Sequence, residues 1–527
     1  MNEEILKLIR EKGILLEKEI FDIVNSINDP KAAKSFLEIV QTFAGQKLIT
    51  RAVINKNIKF VKNYVNKLEI ANKELVENIF VRLGLSFEII KQSEVRHIGG
   101  DEEVAVAPKI KYKLFYADTT PDKKIDVSDF VGHFRARYQE LQRILMNRPE
   151  LQQNLVSINK ISSNRQSHSI IGMVKEKRVT KNRNLIITFE DLTGEISGLV
   201  REDNKEIFEK ANELQVDDVV GVRASGNNEL LFIYNIFFPD AFMPEKMKFD
   251  EDVSVAFVSD THCGSTFHLG KMFEKFLNWL NSGDEEAKKI GYIFFVGDNV
   301  DGVGIFPGQQ NLLTLKTMKE QYDLLASYLK RIPKNITIFM CPGQHDATRV
   351  AEPQPIISRR YAPALYEIEN LVLVTNPAMV KLCEGERELK FLMYHGASFN
   401  ALIHEIKELK VLKAHSCPAK VSKHLLKRRH LAPMHGMSKS IVYTPNAEKD
   451  PLVISEVPDV MCTGDLHRAD IENYNGVLII ASSCWESQTP FEEKVGNIPE
   501  PGKVPILNLK TRQIKMLDFS GKEEEGK

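Results

Sequence analysis

The chain has 527 residues, 43% hydrophobic and 27% charged, with a formal net charge of −1 at pH 7, enough for two to four domains and too balanced for nucleic-acid binding driven by global charge. Its six cysteines show no C-x-x-C spacing, which excludes a zinc ribbon or disulfide scaffold and fits a reducing compartment. No signal-peptide core or 18-residue apolar run is present, so a cytoplasmic protein with no membrane contact is expected.

Residues 1–80 read as a small helical N-terminal domain. Ile5, Leu8 and Ile9 share one helical face, and Ile20, Phe21, Val24 and Ile27 another. In "INDPKAA", Asp29 is an N-cap ahead of Pro30 at the first helical position. Residues 81–155 form a linker. "HIGGDEEVAVAP" and "DTTPDKKIDVSDF" are rich in Gly, Pro and charge. A short strand, "KYKLFYA", lies between them, and the helix "FVGHFRARYQELQRILMNRP" follows, ending at Asn147.

Over residues 156–245 the apolar period changes to two. About five strands, with the helical insertion "NKEIFEKANEL" between the third and fourth, predict an OB-type β-barrel. Phe189 and "LFIYNIFF" read as core, so this barrel is expected to brace a neighbour more than to stack bases. Over residues 250–518, unbroken apolar strands such as "VSVAFVSD", "YIFFVGD" and "ITIFMCPG" alternate with helices, predicting an α/β domain covered on both faces. Residues 519–527 are a charged tail.

Five polar motifs end five of those strands: "SDTHCGS" (Asp260, His262), "VGDNVDG" (Asp298), "PGQHDA" (Gln344, His345), "YHGAS" (His395) and "TGDLHRAD" (Asp465, His467). Strand carboxyl ends are where an α/β sheet forms its ligand crevice. A lone Asp after a strand is usually a cap, but five Asp/His motifs in order, each beside Gly, point to a metal centre. Asp and His supply oxygen and nitrogen donors to divalent ions. A bridged pair of ions acidifies a water and clamps phosphate oxygens. Asp301, three residues after Asp298, could approach the metals but reads first as a turn residue. The five His of the insert, His404, His415, His424, His430 and His435, read as surface or structural. "KVSKHLLKRRH" over 420–430, with Lys420, Lys423, Lys427, Arg428 and Arg429, reads either as a helix tracking a DNA backbone or as a solvated or subunit-facing one.

In this order the motifs resemble D-x-H, G-D, G-N-H-D, H-G and G-H-x-H of the calcineurin-like metallophosphoesterases. The wider plan, with "LLKRRHLAP", "SSCWESQTPFEEK" and "PGKVPILNLKT", resembles the small subunits of archaeal family D DNA polymerases. The resemblance covers about residues 160–515 and more loosely the N-terminal part. It implies a four-layer α/β metallophosphoesterase domain behind the barrel and helical domain, acting as a 3′→5′ exonuclease on DNA 3′ ends. It also implies a large catalytic polymerase subunit as partner. Carried over, Asp260, His262, Asp298 and His467 hold one divalent ion. Asp298 bridges to a second, held also by Gln344, His395 and Asp465. His345 assists the leaving oxygen, and Asp346 orients His345 by accepting its other ring proton. Gln344 stands where the family has Asn and Asp465 where it has His, an oxygen-rich change that favours Mn²⁺ or Mg²⁺. The alternative is a non-catalytic scaffold subunit with a degenerate second metal site. A break-repair nuclease and a phosphatase remain further readings.

Overall fold

The computed structural model describes residues 110–119, 124–434 and 443–521, together with residues 15–17, 20, 48 and 49. The chain divides into two compact units, Met1–Ser93 and Glu94–Lys527. In the first, Leu15–Leu16 pairs in parallel with Leu48–Ile49; the helical domain expected over 1–80 lies almost wholly outside the described residues.

Within the second unit, the strand foreseen in the linker is β1 (Lys111–Tyr116). It is part of a sheet: it pairs antiparallel with the strand Ala378–Glu384. Its alternation decides this, since Tyr112 and Leu114 reach the apolar layer between two sheets. Helix α1 (Val127–Met146) starts at a capping box of Asp126 and Asp129 and ends at Asn147. Its apolar stripe, Tyr138, Leu141 and Leu145, packs on Ile171, Met173 and Val219.

Five strands close into a barrel: β2 (Gln166–Val179), β3 (Leu185–Glu190), β4 (Glu195–Val200), β5 (Val219–Gly226) and β6 (Leu231–Phe237). Their order is β2-β3-β4-β6-β5. Strand β2 pairs with β5 along its first half and with β3 along its second, with a register shift between Val174 and Glu176. Such a shift lets one long strand turn the corner that closure requires. Helix α2 (Lys205–Glu213) lies between β4 and β5.

The α/β region holds two six-stranded sheets. The first runs β10-β9-β8-β7-β16-β17, built from β7 (Ser254–Val258), β8 (Ile290–Val296), β9 (Thr337–Cys341), β10 (Leu371–Leu373), β16 (Lys503–Asn508) and β17 (Ile514–Asp518). The second runs β14-β15-β13-β12-β11-β1, with β11 (Ala378–Glu384), β12 (Arg387–Met393), β13 (Val460–Thr463), β14 (Asp470–Tyr474) and β15 (Val477–Ala481). Strands β7 and β8 are buried along their whole length because both of their faces are covered. Val255 and Phe257 meet Phe391 and Val460 of the second sheet. Ala256 and Val258 meet α3 (Gly270–Leu280) and α4 (Met318–Leu329). The outer face of the second sheet, including Met461 and Ile479, is covered by α5 (Phe399–Glu405), α6 (Lys407–Leu412) and α7 (Pro418–Arg428). None of the helices among the described residues is long and apolar enough to cross a membrane.

The basic stretch over 420–430 turns its arginines inward, while Lys420 stays exposed. Arg428 and Arg429 are buried. Arg428 donates to Asp218 across 3.0 Å and Lys427 to Glu213 across 2.5 Å, tying α7 to the barrel. Burial resists ionisation of Glu213, yet His424, Arg428 and Lys427 hold its carboxyl down at about 2. Arg429 donates to the carbonyls of Ile454 and Ser455. The Arg428 guanidinium joins two modules, which sequence charge alone does not reveal. His424 and His430 are buried structural residues, as expected of the insert, whereas His435 lies outside the described residues.

Candidate metal centre

Asp260 follows β7, Asp298 follows β8, Gln344 and His345 follow β9, His395 follows β12, and Asp465 and His467 follow β13. The first sheet supplies four of these side chains and the second three, so the site sits on the seam where the carboxyl ends of the two sheets meet. Asp260, His262, Asp298, Asp465 and His467 all have positive φ, between 42° and 70°. Left-handed backbone costs a non-glycine L-residue roughly 1–2 kcal/mol, and such strain collects at functional sites. The neighbouring glycines serve close approach as well as bending. A Cβ on Gly343 would lie 2.2 Å from Asp298 Oδ1, and one on Gly464 would lie 2.0 Å from Ser259 Oγ.

Three groups of ligand atoms converge. Asp260, His262 and His467 form the first, Asp260, Asp298 and His395 the second, and His262, Asp301 and His345 the third. His262 Nδ1 lies 3.2 Å from Asp301 Oδ1 and His467 Nδ1 lies 2.9 Å from Glu492 Oε1. The Asp301 contact places a His262 ring proton at Nδ1, whereas the Glu492 contact is an ion-pair distance without hydrogen-bond geometry. The two Nε2 atoms face each other at 3.3 Å. Asp260 Oδ1 lies 3.4 Å from His467 Nε2 and 3.9 Å from His262 Nε2. In the second group, His395 Nδ1 donates to the Val296 carbonyl across 2.7 Å. Its Nε2 faces Asp298 Oδ2 at 3.1 Å and Asp260 Oδ1 at 3.9 Å. Asp260 is common to the first two groups, and Asp298, expected as the bridge, lies in the second; its Oδ1 accepts the His345 backbone N–H across 2.8 Å.

The two residues that depart from the resemblance meet each other. Gln344 Nε2 donates to Asp465 Oδ1 across 3.1 Å, which leaves Gln344 Oε1 and Asp465 Oδ2 buried without partners. Asp260 Oδ1 and His395 Nε2 are buried without hydrogen-bond partners too. Buried oxygens and ring nitrogens left without partners in one site are costly unless a cation meets them, so the donor set fits divalent ions. The electrostatics agree. Burial resists charge on His395, yet Asp298 and Asp260 hold its pKa well above the ordinary value. Burial likewise lowers His262, but Glu486 and Asp301 bring it up to about 9. Burial pushes the Asp465 carboxyl up to about 6, with Asp260 and Asp298 adding to the rise.

His345 is half-buried at the rim. Its Nδ1 lies 2.7 Å from the Asp301 carbonyl, so the proton sits on Nδ1 and Nε2 is left for a ligand. Asp346, expected to orient His345, does not do so. It is buried and accepts from the Asn299 backbone and side chain, the Gly343 N–H and the Tyr322 hydroxyl. It ties the loop after β9 to the loop after β8. A main-chain carbonyl took the place of the expected carboxylate, and nothing in sequence spacing announces that.

Three carboxylates that support the site were not assigned to it from sequence. Asp301 holds His262 through its side chain and His345 through its main chain. Glu486 accepts from Ser265 Oγ across 2.5 Å and reaches to 3.9 Å from His262 Nε2. Glu492 holds His467 with one oxygen and caps α8 (Pro490–Val495) at Thr489 with the other. Only the last left a signal: T-x-x-E is a capping box.

A family model for the B subunits of DNA polymerases alpha and epsilon matches residues 255–471. The DNA polymerase II small subunit of Methanothermobacter thermautotrophicus is 34% identical over 531 residues, covering 99% of this chain and 100% of that one. The subunit of the same name from Pyrococcus furiosus is 36% identical over 410 residues, covering 76% of this chain and 65% of that one. Among solved structures, an archaeal phosphodiesterase at 14% identity covers 50% of this chain and 99% of its own with a TM-score of 0.25, too low to carry an argument. On the full-length match at 34% identity, this chain belongs to the family of archaeal DNA polymerase II small subunits, the small subunits of family D DNA polymerase.

Proposed function

We propose that the chain is a metal-dependent 3′→5′ DNA exonuclease that proofreads for a large catalytic polymerase subunit. The observation that carries this reading is the convergence of buried, unpartnered ligand atoms from Asp260, His395, Gln344 and Asp465 on one seam. The stacking of helices, sheet, sheet and helices is the layering expected of a four-layer metallophosphoesterase. The five-stranded barrel with a helix between its third and fourth strands suits an OB-type module. The subunit name carried by the relatives supports the polymerase partner and DNA as substrate.

Asp260, His262 and His467 would hold one ion; Asp298, His395, Gln344 Oε1 and Asp465 Oδ2 would hold the other. When bound, two divalent ions would supply an acidified water and a clamp on phosphate oxygens, with Mn²⁺ or Mg²⁺ suited to the oxygen-rich second set. The chain's own residues do the rest. Asp301 holds His262 at Nδ1 with Nε2 turned inward, and Glu492 lies within ion-pair distance of His467 Nδ1. His345, pinned at Nδ1 by the Asp301 carbonyl, presents Nε2 to the scissile phosphodiester. Protonated there, it gives its proton to the departing 3′ oxygen as general acid. Buried Asp346 fixes the loop that carries His345.

The competing reading, a scaffold with a lapsed second site, draws on the Gln344–Asp465 hydrogen bond, through which the two residues partly satisfy each other. The test is hydrolysis of single-stranded DNA with Mn²⁺ by the wild-type chain and Asp298→Ala, with the large subunit supplied. Release of mononucleotides by wild type alone supports the nuclease. Equal release by both, or none by either, overturns it.

A further inference from the structure

Beside His345 stands a six-residue tip, Val303 to Gly308, that is exposed throughout while both of its roots are buried. The roots are held by two glutamines with no exposed surface, Gln309 and Gln321. Gln309 Nε2 donates to the Asp301 carbonyl across 2.8 Å and to Asp301 Oδ2 across 3.0 Å, while its Oε1 accepts the Ile305 N–H across 2.9 Å. Gln321 accepts the Gly302 N–H across 2.9 Å and donates to its carbonyl across 3.0 Å. The tip is apolar where a surface turn is ordinarily polar: Val303 is 45% exposed, Ile305 37% and Phe306 40%. Among the described residues, none stacks on the Phe306 ring.

This knuckle belongs to the rim of the centre. Its root, Asp301, is the residue that holds both His262 and His345. A Cβ on Gly302 would meet the His345 carbonyl at 2.4 Å and Ile305 Cγ1 at 2.9 Å, so the Ile305 side chain and the His345 backbone flank the same point. On the nuclease reading, a phosphodiester held at His345 would bring its terminal nucleoside to this rim. We infer that the Val303–Ile305–Phe306 knuckle is the platform on which the terminal nucleobase of the substrate strand lies, with Phe306 as the stacking ring. An apolar platform takes any base, because every base has a π-face. This rests on the nuclease reading of the same site.

The test uses the full chain together with its large subunit and Mn²⁺. The substrates are two single-stranded oligonucleotides, one ending in an ordinary 3′ nucleotide and one in a 3′ abasic nucleotide. Wild type is expected to prefer the base-bearing end about tenfold in kcat/KM, the scale of one base–aromatic stack. Phe306→Ala should bring that ratio close to one and Phe306→Trp should restore it. Val179→Ala, a change at an exposed apolar residue of the barrel, should leave the ratio as in wild type. A wild type without preference, or a Phe306→Ala that slows both substrates equally, overturns the platform. So does a Phe306→Ala chain that no longer binds the large subunit, which would make the knuckle a subunit contact. If wild type hydrolyses neither substrate, the nuclease reading fails separately. Binding of a 3′-terminal 2-aminopurine oligonucleotide with Ca²⁺ then decides the platform. Fluorescence quenching by wild type that Phe306→Ala loses supports it; equal signals, or no binding, overturn it.

Discussion

Gln344 Nε2 donates to Asp465 Oδ1 across 3.1 Å, joining the loop after β9 to the loop after β13 and leaving one unpartnered oxygen on each side chain. The longer amide and the shorter carboxylate meet each other, so the two departures from the resemblance act as one coupled change. Gln344→Ala should remove both the bond to Asp465 and one acceptor. Mn²⁺ affinity at the second site should fall at least tenfold, with the first site unaffected, as read by isothermal titration.

Asp301 orients His262 by its carboxylate, and such outer partners of metal-ligating histidines typically carry a factor of 10–100 in metal affinity. Asp301→Ala should weaken Mn²⁺ binding at the Asp260–His262–His467 group by about that factor. Asp301→Asn keeps an acceptor oxygen for His262 Nδ1 and should lose distinctly less. Equal losses in the two variants would show that the contact does not set the tautomer.

Glu352 is buried between Tyr394 and Asn376, and burial pushes its carboxyl from 4.5 up to about 8. Between those values the folded state holds a proton that the unfolded state has released. The stabilisation is therefore complete below pH 4.5 and is lost as pH rises towards 8. It amounts to on the order of a few kcal/mol across that window. Glu352→Gln should remove this slope, so its melting temperature relative to wild type should climb between pH 5 and pH 8.

Asp450 is buried and accepts from Arg137 Nε across 2.7 Å; His430 Nε2 lies 2.7 Å and His133 Nε2 3.2 Å from the same oxygen. It thereby joins α1 to the segment after α7. Asp450→Ala leaves the Arg137 guanidinium buried without its carboxylate, a change that costs about 3–5 kcal/mol. Urea denaturation should show that loss as a lower midpoint.

The α/β layering was legible because two periodicities are written plainly in it: unbroken apolar runs for β7 and β8, and alternation over residues 166–237. The ligands were legible because Asp or His beside Gly recurs at strand ends, where the backbone must enter left-handed φ. What sequence could not carry were partners set by three-dimensional accident. The Asp301 carbonyl, rather than Asp346, faces His345. Glu486 and Glu492 come to the site from a stretch with no ligand pattern. Arg428 of α7 read as part of a DNA-tracking, solvated or subunit-facing helix and is buried against the barrel, since charge in a sequence says nothing about what it will meet.

The most direct measurement is single-turnover removal of a 3′-mismatched nucleotide from a primer–template with Mn²⁺ and the large subunit, comparing wild type with His345→Ala. The account predicts stepwise loss from the 3′ end by wild type and a rate about 10²–10⁴ lower for His345→Ala, the range of one general acid, with Mn²⁺ affinity unchanged. Equal rates for the two proteins, or no cleavage by either, would contradict it and leave the seam of ligands as the relic of a site in a scaffold subunit.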